Sequence, residues 1–390
     1  MDCRKATAPT AAMDSATLYV ALELSLKTWL VALRSSASDK ISIKLVPAGD
    51  QAGLLGLLAS LRNELVAAGY REVRVLSCYE AGRDGFWLHR RLLQHGIENV
   101  VVDASSVPVP QHARRKKTDR LDVGSLLREL MMLARKESSC RVLQVPTQEE
   151  EEDARRLGRE RRELVDERVA HVNRIKGWLA TQGIVDYQPL RRDRRERLVE
   201  LRTALNEPLP PELGQAIARE LTRLELVVAQ IKEIEATRDA IAATPPPGDV
   251  AGAKIQQLTR LKSIANETAT TLTREVFYRR FENRRQIGAF VGLDGSPWRS
   301  GQMDREQGIS KAGNRRVRTL LIETGWGWLR HQPDSALSQW FRQRVGEAKG
   351  VIKRKMIVAL ARKVLIALWR YLETGVVPAG AVLKAQAAKA

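Results

Sequence analysis

Three short runs near the start of the chain alternate apolar and polar positions: 17–24 (TLYVALEL), 28–35 (TWLVALRS) and 40–46 (KISIKLV). Tight breaks separate them, and their residue types suit a half-buried pleated surface, so they predict a three-stranded antiparallel meander. Leucines then fall at helical spacing through 50–68. Residues 72–78 (EVRVLSC) predict a fourth strand, 86–95 a helix and 98–103 (ENVVVD) a fifth strand. Three antiparallel strands followed by helix, strand, helix, strand is the element order of a ribonuclease-H-like domain, although other α/β folds share parts of it.

Two prolines break the pattern over 105–110. A basic stretch at 112–118 leads into a predicted helix over 119–135, and 136–146 reads as a linker. From 147 to about 243 the charge density rises. Leu157, Leu164, Val172, Ile175 and Leu179 mark one amphipathic helix, and Leu213, Ile217, Leu221, Leu224, Val228 and Ile231 mark another. This spacing predicts a helical hairpin or coiled-coil segment, serving as a spacer or dimerisation arm or contacting nucleic acid directly. The run Thr244-Pro-Pro-Pro-Gly248 is a boundary. Beyond it, 254–281, 284–291, 314–332, 335–345 and 352–373 read as helices, with a glycine-rich loop over 292–313. The predicted plan is α/β plus all-α: a disordered tail (1–16), an α/β domain (17–140), a helical segment (147–243), a small α-helical domain (250–380) and a tail (381–390).

Charge narrows the partners. Lys and Arg number 65 against 46 Asp and Glu, a formal net charge of +19 over 390 residues. Such an excess suits a polyanion partner, and names no reaction. Three scattered cysteines exclude a disulfide framework and a cysteine zinc site. No apolar run is long enough for a bilayer span, and the N-terminus lacks the apolar core of a signal peptide. The expectation is a soluble cytoplasmic protein without a membrane partner.

Two constellations carry candidate chemistry. Glu23 lies in the first strand, Glu80 follows the fourth, and Asp119 and Asp122 share one face at a helix start. Four carboxylates without histidine or cysteine make an oxygen-only set suited to Mg2+. Equally, Glu23 reads as a solvent-facing edge-strand residue, and Asp119 and Asp122 as carboxylates favoured by the helix dipole. The second constellation is Trp298-Arg-Ser-Gly301 followed by Gly308-Ile-Ser-Lys-Ala-Gly-Asn-Arg-Arg-Val-Arg318. Here Ser300 is a possible nucleophile, while Arg299, Lys311, Asn314, Arg315, Arg316 and Arg318 suit phosphate oxygens. A loop and helix cap that grips a nucleic-acid backbone fits the same residues. Arg114, Arg115, Lys116 and Lys117 form a further basic cluster. Trp326, Trp328 and Trp340 suit base stacking or, more commonly on helices, a core.

The blocks Ala21-Leu-Glu-Leu-Ser-Leu-Lys27, Tyr79-Glu-Ala-Gly82, Lys117-Thr-Asp-Arg-Leu-Asp122, Phe290-Val-Gly-Leu293, Ser300-Gly301 and Gly308–Arg318 together carry a resemblance. In them the chain resembles the bridge-RNA-guided transposases of insertion-sequence family one-ten, over about residues 17–380. The resemblance implies a RuvC-like domain whose four acids, here Glu23, Glu80, Asp119 and Asp122, bind Mg2+. It also implies a C-terminal serine transposase domain whose nucleophile is Ser300. Donor and target DNA, a structured guide RNA and a homo-oligomer, dimer or tetramer, are the implied partners. Two departures stand out. Glu23 occupies a place the family usually gives to aspartate, and 263–268 (SIANET) replaces a proline-glycine-isoleucine-glycine hairpin. A Mg2+-dependent junction-type nuclease and a non-catalytic decayed copy that only binds nucleic acid are the alternative readings.

Overall fold

The structure, a computed structural model, describes residues 13–82, 85–107, 119–138, 140–146, 149–300, 303–311 and 313–385. Its contacts divide the chain into two units, Met1–Val145 and Pro146–Ala390.

The first unit runs β1 (Met13–Leu24), β2 (Thr28–Ser35), β3 (Ser42–Pro47), α1 (Gln51–Ala67), β4 (Tyr70–Glu80), α2 (Trp87–Gln94), β5 (Glu98–Val102), α3 (Asp119–Ala134) and β6 (Val142–Leu143). These strands form one sheet in the order β3-β2-β1-β4-β5-β6. The first three are antiparallel neighbours, β4 lies parallel to β1, and β5 lies parallel to β4. β1 begins earlier than its alternation predicts, because Met13 already pairs with Tyr70 at the start of β4.

Period-two alternation sorts the side chains onto two faces. Leu18, Val20 and Leu22 of β1 face the side that Leu54 and Leu58 of α1 and Leu88 and Leu92 of α2 cover. The opposite face carries Ala21 and Ala32 beside Cys78, and α3 closes it with Val123, Leu126, Leu127 and Leu130. That spacing of three and four puts one stripe of α3 on the sheet, and the small residues beneath give the helix room. Asp50 caps α1 by accepting from the Gly53 amide at 2.8 Å.

The second unit holds α4 (Glu149–Asp153), α5 (Arg156–Ala180), α6 (Arg194–Glu200), α7 (Pro211–Ala243), α8 (Val250–Thr259), α9 (Asn266–Glu275), α10 (Arg284–Phe290), the hairpin β7 (Gly295–Ser300) and β8 (Met303–Ile309), α11 (Arg315–His331), α12 (Ala336–Val345) and α13 (Val351–Thr374). α5 and α7 pack side by side and antiparallel. Leu164 near the start of α5 meets Val227, Ile231 and Ile234, whereas Ile175 and Leu179 near its end meet Ile217 and Leu221. Between the helices, the buried carboxylate of Glu220 is held by His171 at 2.7 Å, by Arg223 at 2.8 Å and by Arg174. The C-terminal core gathers α8 to α13 around Leu258, Leu272, Leu321, Trp328 and Leu360.

Three features depart from the sequence expectation. The helix expected over 254–281 is two helices, because the chain turns at 261–264, with Ser263 at a φ of 78°. This turn pairs with the C-terminal segment: the Lys262 amide donates to Val382 O, and the Lys384 amide to Arg260 O. A tail beginning at 381 therefore starts too early, since 382–384 is bonded to the domain. The loop expected over 292–313 contains the β7–β8 hairpin. Its strands carry few apolar residues, so periodicity had little to register. No helix among the described residues is long and apolar enough to cross a membrane.

Candidate functional sites

Two acids of the first unit, Glu23 and Glu80, stand on one sheet face. The final pair of the β1–β4 ladder is Leu22 with Tyr79, so Glu23 and Glu80 follow at the next, matching positions. Alternation puts Glu23 on the face of Tyr19 and Ala21, and Glu80 on the face of Leu76 and Cys78, which is the side that α3 covers. β1 lies between β2 and β4, so the edge-strand reading of Glu23 does not hold. Glu80 also acts electrostatically on its neighbour: burial first, then the Glu80 charge, raises the Cys78 thiol well above its ordinary value. α3 begins at Asp119 and packs on β1, β2 and β4, and Asp122 in its first turn is half-buried. The side chain of Asp119 lies outside the described residues, as do Arg114, Arg115, Lys116 and Lys117. Carboxylate oxygens alone are the donor chemistry a hard divalent cation takes. Even so, no three His, Cys, Asp or Glu side chains among the described residues gather closely enough to hold a metal. Donor type and sheet position therefore fit magnesium, whereas the described residues by themselves do not assemble a closed ligand set.

The serine sits in the second unit. Ser300 is the last residue of β7 and pairs with Met303, the first of β8, so it stands at the turn end of the hairpin. The side chains of Arg299 and Ser300 lie outside the described residues. At its base the hairpin is clamped: the Ser310 amide donates to Asp294 O at 2.8 Å and the Lys311 amide to Gly292 O at 3.2 Å. Asp294 is in turn ion-paired to Arg362 of α13 at 2.6 Å. Gly313 adopts a φ of 74°, and a Cβ there would lie 2.2 Å from the Phe290 carbonyl oxygen. Only glycine allows this approach of backbone to backbone.

The basic residues after the hairpin divide by role. Asn314 caps α11: its Oδ1 accepts from the Arg316 and Val317 amides at 3.0 and 3.3 Å, and its Nδ2 donates to Glu275 at 3.2 Å. Arg316 turns inward, donating to Thr271 at 3.2 Å and to Glu267 at 3.4 Å. Burial lowers its guanidinium from the ordinary value, and Glu267 and Glu275 oppose that shift. Arg318 donates to Val291 O and Gly313 O at 3.3 and 3.1 Å. Lys311 and Arg315 are exposed.

Glu275 was not singled out from the sequence. Its side chain is 6% exposed, and Arg159 of α5 grips both carboxylate oxygens at 2.9 and 3.2 Å. This bond raises the Arg159 guanidinium above its ordinary value. One acid thus ties α5, α9 and the cap of α11 together across 116 residues of sequence separation, a distance that no local pattern marks. The tryptophans divide too. Trp328 is buried and donates to Ser335 at 2.9 Å, Trp340 is half-buried, and Trp326 is exposed.

Residues 255–339, which run from α8 into α12 and include the hairpin, match the family described as "Transposase IS116/IS110/IS902 family". The chain is 49% identical over 386 residues to a putative transposase, y4rJ, of Sinorhizobium fredii, covering 97% of each chain. It is 29% identical over 269 residues to a second putative transposase of that organism, y4qE, covering 69% of this chain and 62% of the relative. The transposase of insertion sequence element IS1111A from Coxiella burnetii is 28% identical over 287 residues, covering 73% of this chain and 74% of the relative. The protein is accordingly a DNA-transposing enzyme of an insertion sequence. It belongs to the IS116/IS110/IS902 transposase family.

Proposed function

We propose that this transposase is a recombinase that cuts and rejoins DNA through a covalent phosphoserine link at Ser300. In this reading Glu23, Glu80, Asp119 and Asp122 hold Mg2+, and a structured RNA pairs with donor and target DNA to select the sites. The observation that carries it is the register of β1 and β4, which sets Glu23 beside Glu80 on the face that α3 covers. The strand order, with an antiparallel trio continued by two parallel strands, supports a RuvC-like reading of the first unit.

The Ser300 oxygen forms a bond to the scissile phosphorus, the bond to the 3′-oxygen breaks, and that oxygen leaves as a hydroxyl. Attack by a 3′-hydroxyl reverses the step and restores the serine. The ester conserves the energy of the broken bond, so no ATP is consumed. A divalent ion on the four acids would neutralise charge developing on the phosphate. Backbone position at the turn end of a hairpin suits a residue that must be presented to a substrate as a nucleophile. Lys311 and Arg315, both exposed, supply donors to phosphate oxygens. The acids lie in one unit and the serine in the other, an arrangement that suits assembly of several copies with shared catalytic parts.

The test incubates the full chain with DNA carrying the element ends, RNA transcribed from the element's flank, and Mg2+, followed by denaturing gels. The expected result is protein-linked DNA that Ser300→Ala abolishes while binding persists. An adduct that survives Ser300→Ala removes the serine from its role. Magnesium-dependent nicking without an adduct supports the junction-nuclease alternative, and binding without cleavage the decayed copy.

A further inference from the structure

Trp326 and Trp328 are two residues apart on α11 and therefore face opposite sides of the helix. Trp328 fills the core, whereas Trp326 is 41% exposed. An exposed indole offers a flat apolar face to solvent, and what stands around it decides what it can bind. Cations outnumber the one carboxylate near it, that of exposed Glu323 one turn earlier on α11. The Lys353 ammonium lies 5.5 Å from the centre of the Trp326 ring. Arg354 and Lys355 follow in the exposed first turns of α13, and Arg330 stands exposed one turn beyond Trp326. None of these four forms an ion pair among the described residues. The packing explains the pairing: Gly325 brings α11 close to α13, with Ile357 Cδ1 3.5 Å from where a Cβ would sit. The Trp326 ring meets Phe341 at an angle of 72°, with 6.5 Å between ring centres. Arg315 lies on the same exposed stripe three helical turns earlier, about 16 Å along the axis, where α11 leaves the hairpin.

A flat aromatic face edged by unpaired cations is complementary to an unstacked base with its flanking phosphates. It is not complementary to a duplex, whose base faces are covered by their neighbours. A DNA-transposing enzyme must handle strands that are parted during exchange. We propose that Trp326, Lys353, Arg354 and Arg330 form a docking surface for single-stranded DNA. One base stacks on the Trp326 indole, displacing Lys353 toward the adjoining phosphate, and the strand runs along α11 toward Arg315.

The test is fluorescence anisotropy of the full chain with a labelled single-stranded DNA, its duplex and the RNA of the same sequence. Trp326→Ala should weaken single-stranded DNA binding about five- to 150-fold and leave duplex affinity within about two-fold. Trp326→Phe should retain most of the affinity, and Lys353→Glu should weaken binding and flatten its salt dependence. Unchanged single-strand affinity in Trp326→Ala overturns the proposal, as does an equal loss on duplex, or a loss confined to RNA. Should Trp326→Ala fail to fold, photocrosslinking of an iodouracil-substituted strand to the wild type decides. Label on the tryptic peptide 319–330 supports the surface, and label confined to other peptides overturns it. Binding is read without strand breakage, so the result stands whether or not Ser300 is the nucleophile.

Discussion

Glu275→Ala is the substitution from which the second unit should suffer most per atom removed. The carboxylate is buried, accepts two hydrogen bonds from Arg159 and one from Asn314, and lies 4.0 Å from Arg316. Removing one partner of a fully buried ion pair costs about 3–5 kcal/mol. Arg159 is half-exposed and recovers part of its hydration by turning outward, and Arg316 keeps Glu267. The cost therefore falls to about 2–3 kcal/mol. For a unit of this length that is a fall in melting temperature of about 4–12 °C. Glu275→Gln keeps the shape and an acceptor and should lose about half as much. A structural readout separates this from general softening. Asn314 offers its Oδ1 to the α11 cap because its Nδ2 is anchored on Glu275. Amide exchange of Arg316 and Val317 should therefore quicken in Glu275→Ala under conditions where the unit remains folded. Calorimetry gives the melting temperature, and an Arg159→Ala/Glu275→Ala double-mutant cycle gives the coupling. Wild-type melting in Glu275→Ala, or a coupling of zero, refutes the reasoning.

Two further outcomes follow from the same geometry. Burial would raise Glu220, but hydrogen bonds from His171, Arg223 and Arg174 outweigh it and hold the carboxyl below its ordinary range. A depressed folded value means the stabilisation is complete above the unfolded value near about 4.3. It is then lost as pH falls through the folded value, so Glu220→Gln should flatten the acid limb of a stability–pH profile. An unchanged limb would show that Glu220 does not contribute. Gly313→Ala would place a Cβ 2.2 Å from Phe290 O in a left-handed residue. It should destabilise the second unit by more than about 2 kcal/mol, read by thermal melting, whereas Gly214→Ala, in open space within α7, should be neutral or better.

Much of the first unit was legible along the chain because its faces differ in chemistry. Alternation in TLYVALEL and TWLVALRS separates Val20 and Leu22 from Ala21 and Glu23, and that same alternation places Glu23 under α3. The helices of the second unit were legible for the same reason, with a period of three and four. The hairpin was not, since β7 and β8 carry few apolar residues and little alternates in them. Even so, the Ser300-Gly301-Gln302-Met303 sequence, with glycine first in a two-residue link, was a turn signal. The break after Arg260 was hidden because apolar residues continue through it, and what turns the chain is a C-terminal segment more than 100 residues away.

What the sequence determined by itself was the kind and inward face of the elements with a clear apolar period, together with the excess of positive charge, because periodicity and composition are local properties. Tertiary structure decided which polar groups are spent inside the protein. Arg315, Arg316 and Arg318 read alike in the chain, yet Arg316 is committed to Thr271 and Glu267 while Arg315 remains exposed. Trp326 and Trp328 read alike, yet one is surface and the other core. A side chain's partners come from whichever elements pack beside it, and that choice is made by burial across the whole unit rather than by neighbours in sequence.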